Sequence, residues 1–531
     1  MKNLAPLRPF VVFAILTLAA FTTACGTSGT SNPAARAYVQ STANPLVAQL
    51  TVVSPCAGQA MVQFGPDTSY GRTTAWYPVS PMFSPSRTLQ QTNILVAGMR
   101  ASTTYHMQSV VQCSDNAVFT TPDLTFATGP LPSLPFPTLT VTRPNPSSTS
   151  PENPGIEMIT VTIPGVPALF TDRDANPIWY YDVGAGSYPF PFKLLPNGHM
   201  ILVIGQPTPS VWSLREIDLA GNTIREMDTT ALAAKMQAAG FDFAPQYYHH
   251  DIVPLPNGHL IVLTNFTLNV PNVSGYSNPT PVIVDGLIDL DQNWNPVWAW
   301  NGFDHLDVNR HLNGLPDWTH SNAVVYLPSD GNLLLSMRHQ SWVLKIDYNN
   351  GIGTGDILWK LGYQGDFQLT QGGVPADDDP SLWFSFQHFP SLISQSGTQT
   401  NLAIWDNGNS RPLDTNGTLC GVAPAYTPCY SRATVFQLDE GSKVADLFWS
   451  TAPGAFGFWG GSINQLDNGN VEFDLNAATP PISNNVASEV QEVTQTSAPQ
   501  IVWKLDITPL GNTAYRAYRV PSLYPGISWQ Y

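Results

Sequence analysis

The chain has 531 residues, enough for more than one domain or for one large repeat fold. Only 11% of residues are charged, and 48 prolines and 40 glycines favour short strands and turns over helices. A net charge of −16 excludes nucleic acid as a partner, because no basic stripe exists to displace counterions.

The N-terminus reads as an export signal over residues 1–25. Lys2 and Arg8 precede an apolar run from Phe10 to Phe21, which is too short to span a membrane comfortably. The run ends in Thr22-Thr23-Ala24-Cys25-Gly26, the pattern of a bacterial lipoprotein cleavage site with Cys25 lipidated; ordinary cleavage nearby is the alternative. The expectation is an exported chain, in the periplasm or on the cell surface, anchored to the membrane only through that lipid. Four other cysteines remain: Cys56, Cys113, Cys420 and Cys429. An even number in an oxidising compartment suggests two disulfides, most simply the local pairs Cys56–Cys113 and Cys420–Cys429, with free buried thiols as the alternative.

Residues 26–40 are rich in Ser, Thr, Gly and Ala and read as a flexible tether. Residues 41–130 alternate short apolar runs with turn residues, and Val96 to Tyr105 has the pattern of the tyrosine corner of a fibronectin-III-like β-sandwich. A Pro/Ser-rich linker is expected over 131–154.

The rest, 155–531, repeats. One signature is a strand, a polar turn and a second strand carrying an aromatic, as in Ala168-Leu169-Phe170-Thr171-Asp172 followed by Pro177-Ile178-Trp179. It recurs at Leu214, Gly286, Val343, Val435 and Glu489. A second signature is a hairpin with an Asn-Gly or Asp-Gly turn, ending at Gly198, Gly258, Gly331 and Gly469, with a looser copy from Ser391 to Ile404. Two hairpins per repeat and six aromatic hairpins predict an all-β, six-bladed β-propeller. One helix is predicted over Thr229 to Ala239, and long loops over about 304–317 and 411–430 are expected to carry function.

Histidines sit at one recurrent place, ahead of the first strand of a repeat: His250 with His249 beside it, His320 and His388. The innermost strands of a propeller line its channel, so these imidazoles are expected to face one another, with Arg338 from the following strand. Neutral imidazole is a nucleophile and a base near neutral pH, and arginine offers a charged fork to an oxyanion. Together they suit transfer of a phosphoryl or sulfuryl group. Zinc is the rival chemistry, but no close His-x-x-x-His spacing exists and a guanidinium beside a metal is unfavourable, so no metal and no cofactor are expected. His305, His311 and His339 are left without a role, and His106, His199 and His259 are read as surface or turn residues.

Residues from about 155 to 531 resemble the bacterial arylsulfate sulfotransferase (arylsulfotransferase, ASST) family. The matching motifs are His249-His250-Asp251, Asp317-Trp-Thr-His320-Ser-Asn322, Ser336-Met-Arg338-His-Gln-Ser341, Gln387-His388 and Asp406-Asn407-Gly-Asn-x-Arg411. The resemblance implies a ping-pong transfer of a sulfuryl group from an aryl sulfate to a phenol without a nucleotide sulfate donor. His388 matches the histidine that is transiently sulfated. His250, His320 and Arg338 match the groups that bind the sulfuryl oxygens. His249, Asn322 and Asn407 are taken as substrate-binding positions, and Cys420–Cys429 matches a short disulfide loop. The partners implied are small aryl sulfates and phenols, with room for a homodimer. Two other readings stand beside this one: a sulfatase- or phosphatase-like hydrolase, and a non-catalytic extracellular binding propeller.

Overall fold

The computed structural model describes residues 35–84, 87–144, 150–206, 212–376, 379–412, 417–421, 429–476, 478–479, 485–509, 511 and 513–530. The expected signal segment, Cys25, the first part of the tether and two parts of the 411–430 loop lie outside the described residues. The described chain is nearly all β, and none of its helices is long and apolar enough to cross a membrane.

Nine strands between Arg36–Ser41 and Leu124–Ala127 form the N-terminal unit. Strand Tyr77–Ser84 serves two partners: its start pairs with Gly58–Gly65 and its end with Arg87–Val96. Strands Ala48–Ser54 and Thr104–Cys113 alternate buried and half-buried residues, so one face of each is core. Tyr105 Oη accepts the Arg100 backbone N–H at 2.9 Å. Cys56 and Cys113 are bridged, as are Cys420 and Cys429. Residues 36–40, expected in the tether, belong to a strand that pairs with Ala48–Ser54.

Six further sheets follow, each built on four antiparallel strands, and a separate short pair joins Phe456–Gly457 to Ala478–Thr479. The first sheet takes its inner strand, Ala514–Val520, from the C-terminus, where it pairs with Ile156–Val161. The sixth gains Thr138–Thr142 at its edge, paired with Ile501–Thr508. That strand lies inside the expected linker; its β-branched Thr-Leu-Thr-Val-Thr alternation is strand sequence. The fifth sheet carries the short strands Gln368–Gln371 and Val374–Pro375 as additions. The hairpin turns fall at the Asn-Gly and Asp-Gly pairs, where Gly198, Gly258, Gly331 and Gly469 have φ between 71° and 84°. The helix spans Thr229–Ala239, capped by the Asp228 side chain and by Gly240.

The inner strands touch in succession: Tyr188–Leu194, Tyr247–Pro254, Ser321–Leu327, His388–Ser396, Ser462–Gln465 and Ala514–Val520. The first sheet in turn touches Tyr188–Leu194 through Ile156–Val161. The aromatic of each repeat explains the order. Its indole reaches the next sheet: Trp179 Nε1 donates to Leu219 O at 2.8 Å, Trp300 to Gly355 O at 2.9 Å and Trp359 to Glu440 Oε2 at 3.0 Å. Trp449 donates to Thr496 O and Trp503 to Arg173 O, both at 2.9 Å, so the sixth sheet clasps the first. The second sheet has Arg225 in place of tryptophan. Arg225 Nη1 donates to Gln292 O at 2.6 Å and its guanidinium lies 4.3 Å from the Trp294 ring centre.

The core is continuous between the N-terminal unit and the first two sheets. Leu50, Phe64 and Met99 share one cluster with Phe170, Trp179, Phe192, Tyr524 and Trp529. Trp503 is fully buried and its ring also carries the Arg519 guanidinium, 4.6 Å from its centre. Trp503→Ala should therefore lose about 3–5 kcal/mol in chemical denaturation and lower Tm, with Trp503→Phe losing less. An unchanged Tm for Trp503→Ala would refute the clasp.

Candidate active site

Each inner strand begins irregularly, and the irregularity aims its side chains. The register shifts between Tyr248 and Ile252, between Ser321 and Ala323, and between His388 and Ser391. His250 has φ 54°, His320 φ 49° and Phe389 φ 46°, left-handed conformations that cost energy in non-glycine residues. The matching positions of the second and sixth sheets are Phe190 and Gly460-Gly461, whose glycines have φ 68° and 101°.

The bulges bring three histidines together. The His250 and His320 ring centres are 4.9 Å apart, and Tyr515 from the C-terminal strand lies 5.6 Å from His250 and 5.8 Å from His388. His388 is buried, while His250 and His320 are half-buried.

Every one of these rings is held through Nδ1, each by a different partner. His388 Nδ1 is 2.7 Å from Asn407 Oδ1. The Asn407 amide is oriented by its own donation to Gly457 O at 2.7 Å and Gly460 O at 3.1 Å. Oδ1 must therefore face His388, whose Nδ1 carries the proton, leaving a lone pair on Nε2 toward the Gly460 N–H at 3.2 Å. His320 Nδ1 is 2.6 Å from Asp317 Oδ2. His250 Nδ1 is 2.7 Å from His249 Nδ1, and His249 Nε2 is 3.2 Å from Asp285 Oδ1.

The environment favours the neutral form of His388 and His250. Burial, then the charge of Arg338, drives His388 well below 6.5, against the opposing hydrogen bond to Asn407. Burial and the neighbouring His249, His320, His388 and Arg516 do the same to His250. Burial lowers Arg338 to about 10, so it stays a cation at neutral pH. Burial pushes Asp317 up, but the hydrogen bond from His320 and the nearby imidazoles hold it below 3.8.

At this site Arg338 Nε, Arg516 Nε, Tyr515 Oη, Asn322 Oδ1 and His249 Nε2 have no hydrogen-bond partner among the described residues. Unmade hydrogen bonds of buried groups are costly, and Arg338 Nε, Arg516 Nε and Tyr515 Oη are donors that an oxyanion would satisfy. A cavity of about 490 Å³ opens onto the site, lined by His249, His250, Asp285, Asp317 and His320 and walled by Tyr188, Trp212 and Tyr247. Another cavity of equal volume, beside Asn468 and Trp529, has no imidazole.

The sequence-derived set thus meets in one place, with changed roles for some members. Asn407 is fully buried with its amide spent on His388 and two carbonyls, so it positions His388 instead of facing substrate. Asn322 is also fully buried and donates to Gln387 O at 2.7 Å. His249 lines the cavity but stands behind His250. His106, His199 and His259 each pair with a carboxylate away from the site: Asp123, Glu216 and Asp289.

Sequence reasoning missed Asp317, His339, Asp285 and Tyr515. Asp317 could have been found, three residues before His320 in a quoted motif. Asp317, His320 and His339 place a carboxylate oxygen and two ring nitrogens within 4.8 Å of one another, as a metal site would. Tautomers oppose that use. His339 Nε2 accepts from Arg338 Nη1 at 2.5 Å, so Nδ1 carries the proton it donates to Asp317 O at 2.8 Å, and no lone pair is left for a metal.

Comparison with solved structures gives weak overall likenesses. A protein of unknown function from Bacteroides caccae is 10% identical with TM-score 0.30, over 74% of this chain and 94% of that one. A putative 6-phosphogluconolactonase from Bacteroides fragilis is 12% identical with TM-score 0.35, over 70% of this chain and 99% of that one. Comparison with curated proteins gives no match. The family model described as Arylsulfotransferase (ASST) matches residues 165–519, and the chain belongs to that family.

Proposed function

We propose that the protein moves a sulfuryl group from an aryl sulfate to a phenol by a ping-pong route through a sulfohistidine at His388. The observation that carries this reading is the Asn407 clamp, which leaves the Nε2 lone pair of a buried, neutral His388 among cations and donors. In the first half-reaction Nε2 attacks sulfur, the sulfur–oxygen bond to the aryl group breaks, and the departing phenolate takes up a proton. In the second, the phenol oxygen attacks sulfur, the nitrogen–sulfur bond breaks, and the phenol proton is released to the protein. Arg338, His320 and His250 surround the sulfuryl oxygens, and the charged guanidinium meets their negative charge.

The same reading extends to architecture and location. The six successive sheets are the blades of a propeller over 155–531, supported by the contacts from inner strand to inner strand and by the indole clasps. The N-terminal strands form a fibronectin-III-like sandwich, supported by the Tyr105 hydrogen bond to the Arg100 N–H. Two disulfides suit an exported protein, and Cys25 is its lipid anchor.

Incubation with 4-nitrophenyl sulfate alone should leave a single sulfuryl adduct on His388 by peptide mass spectrometry, absent from His388→Ala. Sustained release of nitrophenol should then require an added phenol. Release that proceeds equally without phenol makes the protein a hydrolase, and tight binding without any release makes it a binding protein. Asn407→Ala should slow adduct formation about 100-fold, because a free imidazole loses its attack geometry. The pH dependence has a definite sign. A histidine held below 6.5 is unprotonated above its lowered value, so the adduct-forming rate should persist as pH falls through 6.5 and fail only in more acid solution. A single-turnover rate that halves near pH 6.5 would contradict the depressed His388.

A further inference from the structure

We infer that Asp285, His249 and His250 form a proton relay that takes the proton from the acceptor phenol and returns it to the leaving phenolate; this rests on the sulfotransferase reading above. Asp285 is 1% exposed and its Oδ2 accepts the Ser321 N–H. Burial pushes its carboxyl up, but the nearby His249 and the Ser321 N–H hold it below 3.8. An ionised carboxylate only accepts. His249 Nε2 approaches Asp285 Oδ1 at 3.2 Å without hydrogen-bond geometry, a distance that two lone pairs would not share and a proton on Nε2 makes favourable. When His249 carries that one proton it offers a lone pair at Nδ1, and the 2.7 Å contact is then a donation from His250 Nδ1. Nε2 is the basic nitrogen left on His250, whose ring lies 4.9 Å from that of His320.

The steps balance. In the acceptor half-reaction the phenol proton goes to His250 Nε2 while oxygen bonds to sulfur and the His388–sulfur bond breaks. His250 passes its Nδ1 proton to His249 Nδ1. Between turnovers the His249–His250 pair holds that extra proton, with His249 Nδ1–H donating to His250 Nδ1 and His250 Nε2–H facing the cavity. In the donor half-reaction the phenolate takes the Nε2 proton, and His250 Nδ1 takes the proton from His249. The state with Nε2 free is that of the sulfuryl enzyme. The direction of charge movement follows from the surroundings. A positive His250 would face His320, His388 and Arg516, whereas a positive His249 has a buried carboxylate beside it. All three relay residues line the 490 Å³ cavity with the aromatic rings of Tyr188, Trp212 and Tyr247, walls that suit a phenol. His250 is a catalytic residue in this scheme; Asp285 is a positioning residue acting through His249.

Two variants separate relay from mere orientation. In His249→Gln the side-chain oxygen accepts the His250 Nδ1–H but cannot take a proton. In Asp285→Asn the countercharge is gone. Each is mixed in single turnover with 4-nitrophenyl sulfate, whose phenolate leaves without help, and with phenyl sulfate, whose basic phenolate needs a proton. The relay requires nitrophenol release within about threefold of wild type and phenol release slowed roughly 100-fold in both variants. Equal slowing of both donors in both variants would reduce His249 to an orienting group. Unchanged rates in both would remove it from the reaction. If the same selective loss is found in Asp317→Asn and not in these two, the proton travels through His320 and the relay is overturned. Thermal denaturation of each variant checks its fold. The underlying reading fails by a different sign: no adduct on His388 in the wild-type protein.

Discussion

One carboxylate ties the inner strands together. Asp251 is 1% exposed, and its Oδ1 lies 2.9 Å from Lys193 Nζ and 3.1 Å from Arg516 Nη1, while Oδ2 accepts the Val324 N–H at 2.9 Å. Those three partners belong to inner strands of the second, first and fourth sheets, and Asp251 to the third. Burial alone would push this carboxyl up; the two cations and the amide outweigh it and hold it below 3.8. Removing Asp251 leaves Lys193 and Arg516 as buried cations without their countercharge, which costs about 3–5 kcal/mol. Asp251 directly follows His250, so the staple that joins four strands also fixes where the imidazole stands.

The three histidines differ in what holds Nδ1. A neutral amide holds His388 and adds no charge, leaving burial and Arg338 to keep that ring unprotonated. A carboxylate holds His320 and places a countercharge beside it. Another imidazole holds His250. In the proposed transfer these differences suit three separate tasks: attack by a neutral ring, contact with a sulfuryl oxygen, and movement of a proton.

Much of the frame was legible in the sequence. Asn-Gly pairs require positive φ at the glycine, and the hairpins fell on them; Asp228 and Gly240 bounded the helix as the Thr229 to Ala239 pattern implied. The recurring tryptophan was legible as a repeat mark but not as a clasp, because its partner carbonyl lies in the next sheet. Arg225 shows the limit of pattern reading: it performs the same joining by different chemistry. His250, His320 and His388 were legible as a cluster because they sit at repeat-equivalent places, and Arg338 was placed beside them as a residue of the strand after His320. Asp285 and Tyr515 could not. Asp285 sits inside an ordinary strand, and its meaning arises from His249, which is packed against it across two strands. Asn407 was legible as a site residue and misread in role, since a motif does not say whether an amide faces substrate or the back of a ring.

Tyr515 was hidden for a deeper reason, which concerns how the site comes into being. The C-terminal strand Ala514–Val520 closes the first sheet from the far end of the chain, pairing Ile156 with Val520. Tyr515 in it stands between His250 and His388, Arg516 holds Asp251, and Arg519 is surrounded by Glu157, Glu472 and Glu492. Glu157 belongs to the first sheet and the other two acids to the sixth, so Arg519 locks the closure itself. Burial and the neighbouring Glu157 raise Glu472 well above 4.5 despite Arg519, so the crowded acids are tolerable only with that arginine in place. Closing a loop of this length carries an entropic cost that only non-local contacts can offset. Without this strand Asp251 would lack one of its two cations and the histidine cluster would lack Tyr515. The strand that completes the first sheet is therefore also the strand that completes the cluster.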